Sequence, residues 1–196
     1  MSVRTGISVV LILAGALAAS AQAFTVTSPA VSGPSETGYD SGLVSAGRMD
    51  AQYAAKPGAP GNSPSFPISW SNVPPGTKVL ALILDDPDAR PLLASRGIKL
   101  PAFLHWTVTD IDPSRGGLPA NASVDMTSLV QGKNGAGRSG YQAPQPPADV
   151  PKNTGKRLIH IYRLALYALS SPTGLPSGYS LEDLRKAIKD KVLGEA

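Results

Sequence analysis

The chain consists of short apolar segments separated by polar, Gly- and Pro-containing ones, and this pattern predicts short β-strands rather than long helices. Gly and Pro account for 39 of the 196 residues, and they interrupt the apolar segments at short intervals. Because both residues disfavour helix interiors, this spacing favours strands joined by turns. The predicted strands are Thr25–Val26, Ser65–Trp70, Lys78–Leu84, Phe103–Ile111 and Leu158–Leu169. Residues 28–64 are rich in Gly, Ser, Pro and Ala, and we interpret them as loops with room for one short strand.

One helix is predicted, near the end of the chain. Ser180 and Asp183 have the spacing of a capping box. Apolar residues follow at near-helical spacing: Leu181, Leu184, Ile188 and Val192. Gly194 is the expected end of this helix. Strands first and a helix last favour a mainly β, antiparallel domain with peripheral helices, one of them C-terminal.

The first 23 residues have the pattern of a secretory signal peptide. Arg4 gives a positive start, residues 6–21 carry no charge, and Ala21-Gln22-Ala23 offers a cleavage site between small residues. We expect cleavage rather than retention as an anchor, which leaves residues 24–196 as a single domain in the periplasm or outside the cell. The chain has no cysteine, so the stability of this domain must come from its core.

The charge distribution argues against a nucleic-acid partner. The net charge is only +4, and the densest basic group, KAIKDK at residues 186–191, is interrupted by an aspartate. Nucleic-acid-binding proteins more often carry a basic stripe together with a reader motif. A dinucleotide cofactor is excluded as well. GAGRSG at residues 135–140 fits G-x-G-x-x-G, but the four prolines that follow forbid the required helix.

The candidate chemistry lies on carboxylates and histidines. The apolar run Val79–Leu84 leads directly into Asp85, Asp86 and Asp88, which form either a solvated turn or part of a site. His105 and His160 lie in predicted strands. On a strand, His160 and Tyr162 share one face, which Leu164 and Leu166 continue, so this face points inward. Taken singly, each histidine could also be a satisfied structural residue. No G-x-S-x-G motif, thiol or metal-ligand spacing is present, so the sequence predicts neither an enzyme nor a metal site.

Four motifs in combination resemble those of the phosphatidylethanolamine-binding proteins, and within them the bacterial Raf kinase inhibitor-like branch. They are NSPSFPISWSNVPPGTKVLAL (62–82), DDPDAR (85–90), FLHWTV (103–108), and GKNGAGRSGYQAPQPP (132–147) followed by HIYRLALYAL (160–169). The resemblance covers nearly all of residues 24–196. It implies an antiparallel two-sheet β fold with a small pocket for phosphate-like anions, including the phosphoethanolamine head group.

Carried over to this chain, the resemblance implies a set of ligand-binding residues. They are Asp86, His105, His160 and Tyr162 in the pocket wall, Asp88 and Phe103 beside them, and Gly140, Tyr141, Pro146 and Pro147 on the neighbouring loop. We predict that Asp86 orients one of the histidines and raises its pKa, because a nearby negative charge favours the imidazolium. That imidazolium, the Tyr162 hydroxyl and loop N–H groups would then hold the anion.

The chain departs from the family pattern at the rim of this site. Arg90 replaces a proline and either loosens the turn or adds a cation, and Ile161 replaces an arginine. Residues 91–102 form a long connection that could reshape the mouth of the pocket. We expect a secreted or periplasmic, non-enzymatic protein that binds a small anionic ligand or phospholipid head group. The alternatives are a protein-interaction module that inhibits a kinase or hydrolase, and a hydrolase with His105 or His160 as general base.

Overall fold

The structure is a computed structural model, and it describes residues 22–55, 63–145 and 159–196. Within these residues the chain forms ten β-strands and three α-helices. The strands are β1 Thr25–Thr27, β2 Val31–Ser32, β3 Arg48–Met49, β4 Ile68–Ser71, β5 Val79–Asp86, β6 Phe103–Ile111, β7 Gly117–Leu118, β8 Val130–Gln131, β9 Arg163–Leu169 and β10 Val192–Glu195. The helices are α1 Arg90–Ser95, α2 Ala122–Asp125 and α3 Leu181–Ile188.

The strands form two principal antiparallel sheets. The larger has five strands in the order β10-β9-β5-β6-β8, and the smaller has three in the order β1-β4-β7. A ribbon of β2 and β3 completes the architecture. This arrangement confirms the predicted mainly β, antiparallel two-sheet fold with peripheral helices.

The central strand β5 is apolar throughout because both faces of the five-stranded sheet are covered. Leu80, Leu82 and Leu84 lie in the main core, which also contains Trp70 from the smaller sheet. The alternate residues Ala81 and Ile83 pack in a second core, which contains Leu184 and Ile188 of α3. A strand buried on both faces is expected to form a continuous apolar run rather than an alternating one.

The predicted strand boundaries are confirmed for β6 and displaced elsewhere. Strand β4 begins at Ile68 rather than Ser65, and β9 begins at Arg163 rather than Leu158, so His160 and Tyr162 precede the strand. Of residues 28–64, the structure describes 28–55 and 63–64, and these form two short strands, β2 and β3, where the sequence left room for one.

The C-terminal helix is confirmed at its start but ends earlier than predicted. The Asp183 N–H donates to Ser180 Oγ and the Ser180 N–H donates to the Asp183 carboxylate, which is the predicted capping box. The helix ends at Ile188, and Val192–Glu195 instead pairs with the edge of β9. Glycine is favoured at position 194 of this strand, because a Cβ there would lie only 2.8 Å from Pro74 Cγ.

None of the helices in the described part of the chain is both long and apolar enough to span a bilayer.

Candidate functional site

The three carboxylates after the central strand have three different sets of partners. Asp85 lies on the α3 face of the sheet, where Arg163 donates to it from Nε at 3.0 Å and from Nη2 at 2.6 Å. The Asp85 side chain is 6% exposed and the Arg163 side chain is 55% exposed. The pair lines a groove of about 230 Å³ with Tyr167 and Arg185. Asp85 is therefore separated from the histidines by the alternation of side chains along β5.

Asp86 faces the opposite side of the sheet and contacts His160. Its Oδ2 lies 2.7 Å from His160 Nδ1, and both side chains are about 95% buried. Because a carboxylate accepts hydrogen bonds, Nδ1 carries the proton, and the ring orientation of His160 is set by this contact. The other oxygen, Oδ1, accepts from the Ala89 N–H at 3.1 Å. The contact supplies the geometry that an orienting role requires, and the effect of Asp86 on histidine protonation stays a prediction.

Asp88 is buried and links two loops through hydrogen bonds. Its Oδ1 accepts from the N–H groups of Asp40 and Ser41 at 2.6 and 2.7 Å, and its Oδ2 accepts from Ser41 Oγ and the Ile161 N–H at 2.9 Å. Burial alone would raise the pKa of Asp88, but the hydrogen bonds outweigh it and hold the pKa below its ordinary value. The structure thus places Asp88 beside the site, with both oxygens already bonded to protein donors.

His105 occupies a β-bulge in the five-stranded sheet. The register passes from Leu84↔Trp106 to Asp85↔Leu104, so His105 has no direct partner on β5. Bulges of this kind redirect a side chain and are common next to functional sites. The ring is buried, and its Nδ1 lies 2.7 Å from the Gln142 carbonyl oxygen. Since a carbonyl only accepts, Nδ1 carries the proton and Nε2 is an acceptor in the neutral ring.

The surroundings of His105 favour its neutral form. Burial lowers the pKa of His105 below its ordinary value, although the Gln142 carbonyl and the charges of Asp86 and Asp85 act in the opposite direction. His105 is therefore expected to be uncharged at neutral pH in the absence of a ligand.

Two aromatic rings contact His105. Tyr162 lies edge-on at a centroid distance of 5.1 Å, and Phe103 makes a similar contact at 4.9 Å. The Tyr162 hydroxyl is buried and has no hydrogen-bond partner among the described residues. Burial, reinforced by the negative charge of Asp86, raises the pKa of Tyr162 far above its usual range. This hydroxyl is therefore a permanent donor, and leaving it unsatisfied costs roughly 1–3 kcal/mol.

Gly140 and Tyr141 make structural contacts beside the candidate site, and their role in ligand binding stays a prediction. The Tyr141 hydroxyl donates to the Tyr53 carbonyl at 3.1 Å, and its ring packs on Phe66 and Trp106. Gly140 has φ +97°, and a Cβ there would lie 2.9 Å from Ser123 Oγ. Both residues position Gln142, which follows Tyr141 and whose carbonyl accepts a hydrogen bond from His105.

That next residue, Gln142, was not identified from the sequence. A backbone carbonyl has no signal in the sequence, since every residue has one. Pro146 and Pro147, the remaining predicted site residues, lie outside the described residues.

Arg90 neither loosens the turn nor adds an uncompensated cation. The turn is closed by the Ala89–Asp86 hydrogen bond, and the Arg90 guanidinium lies 2.6 Å from Asp40 in an ion pair. Ile161 is buried, and its side chain lies next to Gly38, where a Cβ would be 2.9 Å from Ile161 Cγ1. Both residues that depart from the family pattern therefore contact the loop that Asp88 also binds.

The described residues contain no group of three or more His, Cys, Asp or Glu side chains arranged to hold a metal ion.

Comparison with known sequences identifies the family of this chain. A family model described as phosphatidylethanolamine-binding protein matches residues 41–196. A Methanothermobacter thermautotrophicus protein named UPF0098 is 37% identical over 153 residues, which cover 76% of this chain and 87% of that protein. LppC of Mycobacterium tuberculosis, which its name proposes to be a lipoprotein, is 35% identical over 66% of this chain and 55% of its own length.

Comparison with solved structures points to the same family as the sequence comparison. The crystal structure of CT736 from Chlamydia trachomatis superposes with a TM-score of 0.66 at 28% identity, covering 89% of this chain and 93% of that chain. YbcL of E. coli, described as a member of the mammalian PEBP family, has a TM-score of 0.64 at 26% identity, with coverage of 89% and 94%.

Proposed function

This chain belongs to the phosphatidylethanolamine-binding protein family, and on that premise we propose that it is a non-enzymatic binding protein for a small phosphate-bearing anion. The Tyr162 hydroxyl carries the proposal. It is a buried donor without a partner among the described residues, and its ring contacts that of His105. Buried polar groups in folded proteins are nearly always hydrogen-bonded, so an unpartnered one points to a ligand or bound water.

The site can supply donors of different kinds to a phosphate group. The Tyr162 hydroxyl keeps its proton and donates at any working pH. His160 is oriented through Nδ1 by Asp86, so that its Nε2 becomes a second donor when the ring is protonated. The carboxylate then compensates the imidazolium rather than repelling the ligand. A phosphoethanolamine group would also bring an ammonium for which Asp86 and neutral His105 are suitable acceptors.

The same contacts support binding rather than catalysis. Each histidine uses Nδ1 for a structural partner, Asp86 for His160 and the Gln142 carbonyl for His105. Within the described ranges, neither ring forms a hydrogen bond with a serine or threonine hydroxyl that could serve as a nucleophile. Covalent catalysis needs a nucleophile and a base within hydrogen-bonding reach of each other.

We place the protein outside the cytoplasm, in the periplasm or secreted. Support comes from the signal-peptide pattern of residues 1–23 and from the name of the relative LppC. The predicted signal peptide falls on residues that are, except for the last two, outside the described ranges.

Calorimetric titration with O-phosphoethanolamine and then inorganic phosphate, near pH 6.5, tests the proposal. We expect saturable heat in the parent protein and its loss in His160→Ala. Tyr162→Phe should weaken binding by roughly tenfold or more, because it removes one hydrogen bond to a charged group.

Tyr167→Phe is the matched control, since Tyr167 lies on β9 but faces α3. It should bind like the parent protein. Absence of heat with both compounds, or equal weakening by the two tyrosine variants, would refute the anion site.

A further inference from the structure

The loop after α1 exposes apolar and basic side chains together. Ile98 is 42% exposed and Leu100 is 52% exposed, and the basic residues Arg96 and Lys99 alternate with them at the surface. We refer to residues 96–100 as the basic loop. Scattered exposed apolar residues are ordinary, but here two lie within three positions of each other and are flanked by cations.

The fold holds the basic loop in a defined conformation. Leu93 is buried and anchors α1, whose end is closed by two hydrogen bonds, from the Gly97 N–H to the Ala94 carbonyl and from the Ile98 N–H to the Leu93 carbonyl. With Gly97 at φ +75°, these contacts form a Schellman motif. In such a motif the residue at the Ile98 position usually packs back on the helix, yet Ile98 remains exposed. Ile98 is therefore exposed although the turn that carries it has a defined, hydrogen-bonded conformation.

The basic loop lies next to the candidate site. Leu100 precedes Phe103 by three residues, so their Cα atoms are at most about 11 Å apart. Phe103 contacts the His105 ring. The start of α1 is also tied to the loop of residues 40–44 by the Arg90–Asp40 ion pair. That loop carries two more exposed apolar residues, Leu43 and Val44.

The positive charge of the basic loop and its neighbouring residues favours an anionic partner. No acidic residue occurs between Asp88 and Asp110 in the sequence. The Arg90 charge is compensated by Asp40, whereas Arg96 and Lys99 form no ion pair within the ranges that the structure describes. Protein interfaces are depleted in lysine and enriched in aromatic residues, whereas the basic loop contains Lys99 and no aromatic residue. Lys and Arg interspersed with aliphatic residues suit a lipid surface, where the cations meet head groups and the apolar side chains reach the acyl boundary.

We propose that the basic loop docks the protein on the surface of an anionic lipid bilayer. Arg96 and Lys99 contact lipid phosphates, and Ile98 and Leu100 enter the interface beside them. The docked orientation brings the Asp86–His160 site next to the head groups, and this last point rests on the proposed anion-binding function. The docking itself needs only the loop.

Vesicle co-sedimentation tests the docking. Phosphatidylcholine vesicles with phosphatidylglycerol should bind the protein, pure phosphatidylcholine vesicles should bind it much less, and high salt should release it. Replacing both cations, R96Q with K99Q, should weaken binding to the anionic vesicles by about 30-fold. Replacing both apolar residues, I98S with L100S, should weaken it by about tenfold.

Matched variants elsewhere on the surface provide the controls. Val192→Ser with Leu193→Ser removes two apolar residues of similar exposure on β10. Arg185→Gln with Lys189→Gln removes two exposed cations, one within α3 and one at its C-cap. Both pairs should bind vesicles like the parent protein. Equal weakening by loop and control variants, or no binding to anionic vesicles, would overturn the proposal and leave a protein partner as the occupant of this surface.

Calorimetry with soluble O-phosphoethanolamine separates this inference from the proposed function. The loop variants should retain the full calorimetric response, because the four side chains are exposed, whereas the His105 ring and the Tyr162 hydroxyl are buried. A calorimetric response without vesicle binding would refute the docking alone. Vesicle binding without a calorimetric response would uphold the docking and refute the anion site.

Discussion

His105 is both a hydrogen-bonded residue of the sheet and a wall of the candidate site. It lies at a bulge, its Nδ1 is bonded to the Gln142 carbonyl, and two aromatic rings contact it. Burial favours its neutral form, and the negative charge of Asp86 partly opposes this effect. The pKa of His105 therefore depends on two opposing effects, burial and nearby charge, and a substitution at Asp86 changes the second of them.

Asp86→Asn should lower the pKa of His105 further below its ordinary value. The substitution removes a negative charge that favours the imidazolium, while the burial that disfavours it remains. Titration of the imidazole resonances by NMR measures the change. Asp112→Asn, which alters an exposed carboxylate at the end of β6, should leave the His105 titration unchanged. An unchanged or raised His105 pKa in Asp86→Asn would contradict the proposed coupling.

At the scale of elements, the loops around the site are joined by a single carboxylate. Asp88 follows β5, accepts from the loop at residues 40–41, and accepts from the Ile161 N–H just before β9. Three segments distant in sequence thus meet at one buried charge. The site is held in shape by this junction, although Asp88 itself has no contact with either histidine among its hydrogen bonds.

Asp88→Ala should lower the free energy of unfolding by about 3 kcal/mol. It leaves four donors without their acceptor, three of them backbone N–H groups, and such groups are costly when buried and unsatisfied. Urea denaturation measures the loss. Asp190→Ala, at an exposed position after α3, should cost less than about 0.5 kcal/mol. A loss at Asp88 as small as at Asp190 would show that the junction contributes little to stability.

At the scale of the whole molecule, these pKa shifts make stability depend on pH. The His105 pKa is lower in the folded protein than in the unfolded chain, so below about pH 6.5 the unfolded state binds the additional proton. Acidification therefore destabilises the fold over that window. The lowered pKa of Asp88 has the same sign, and its stabilising contribution is lost as the pH falls below about 4.

We expect the free energy of unfolding to fall in two steps as the pH decreases from neutrality. The first step, which begins near pH 6.5, should disappear in His105→Gln, whereas the second should persist. Urea denaturation at a series of pH values measures both steps, and the slope of stability against pH is informative even where the variant is less stable overall. An identical slope in parent and variant between about pH 7.5 and 5.5 would show that His105 does not titrate in this way.

The sequence alone determined the features that depend on neighbouring residues. The spacing of Gly and Pro between apolar segments predicted β6 to the residue, because turn residues delimit a strand locally. Alternation correctly placed Leu164 and Leu166 toward the main core, whereas His160 and Tyr162 precede the strand. The capping box was predictable since its two residues are three positions apart. The motifs indicated the family because they occur in the right order along the chain.

Long-range contacts, by contrast, set which partner each chemical group has. Asp86 and His160 are 74 positions apart, and Asp88 and Asp40 are 48 apart, so no local pattern distinguishes the carboxylate that orients a histidine from the one that joins loops. The end of the chain forms β10 rather than more helix because the edge of β9 offers unpaired backbone groups, which a local helical pattern does not reveal. Local periodicity sets the direction of a side chain, but long-range packing sets what it meets.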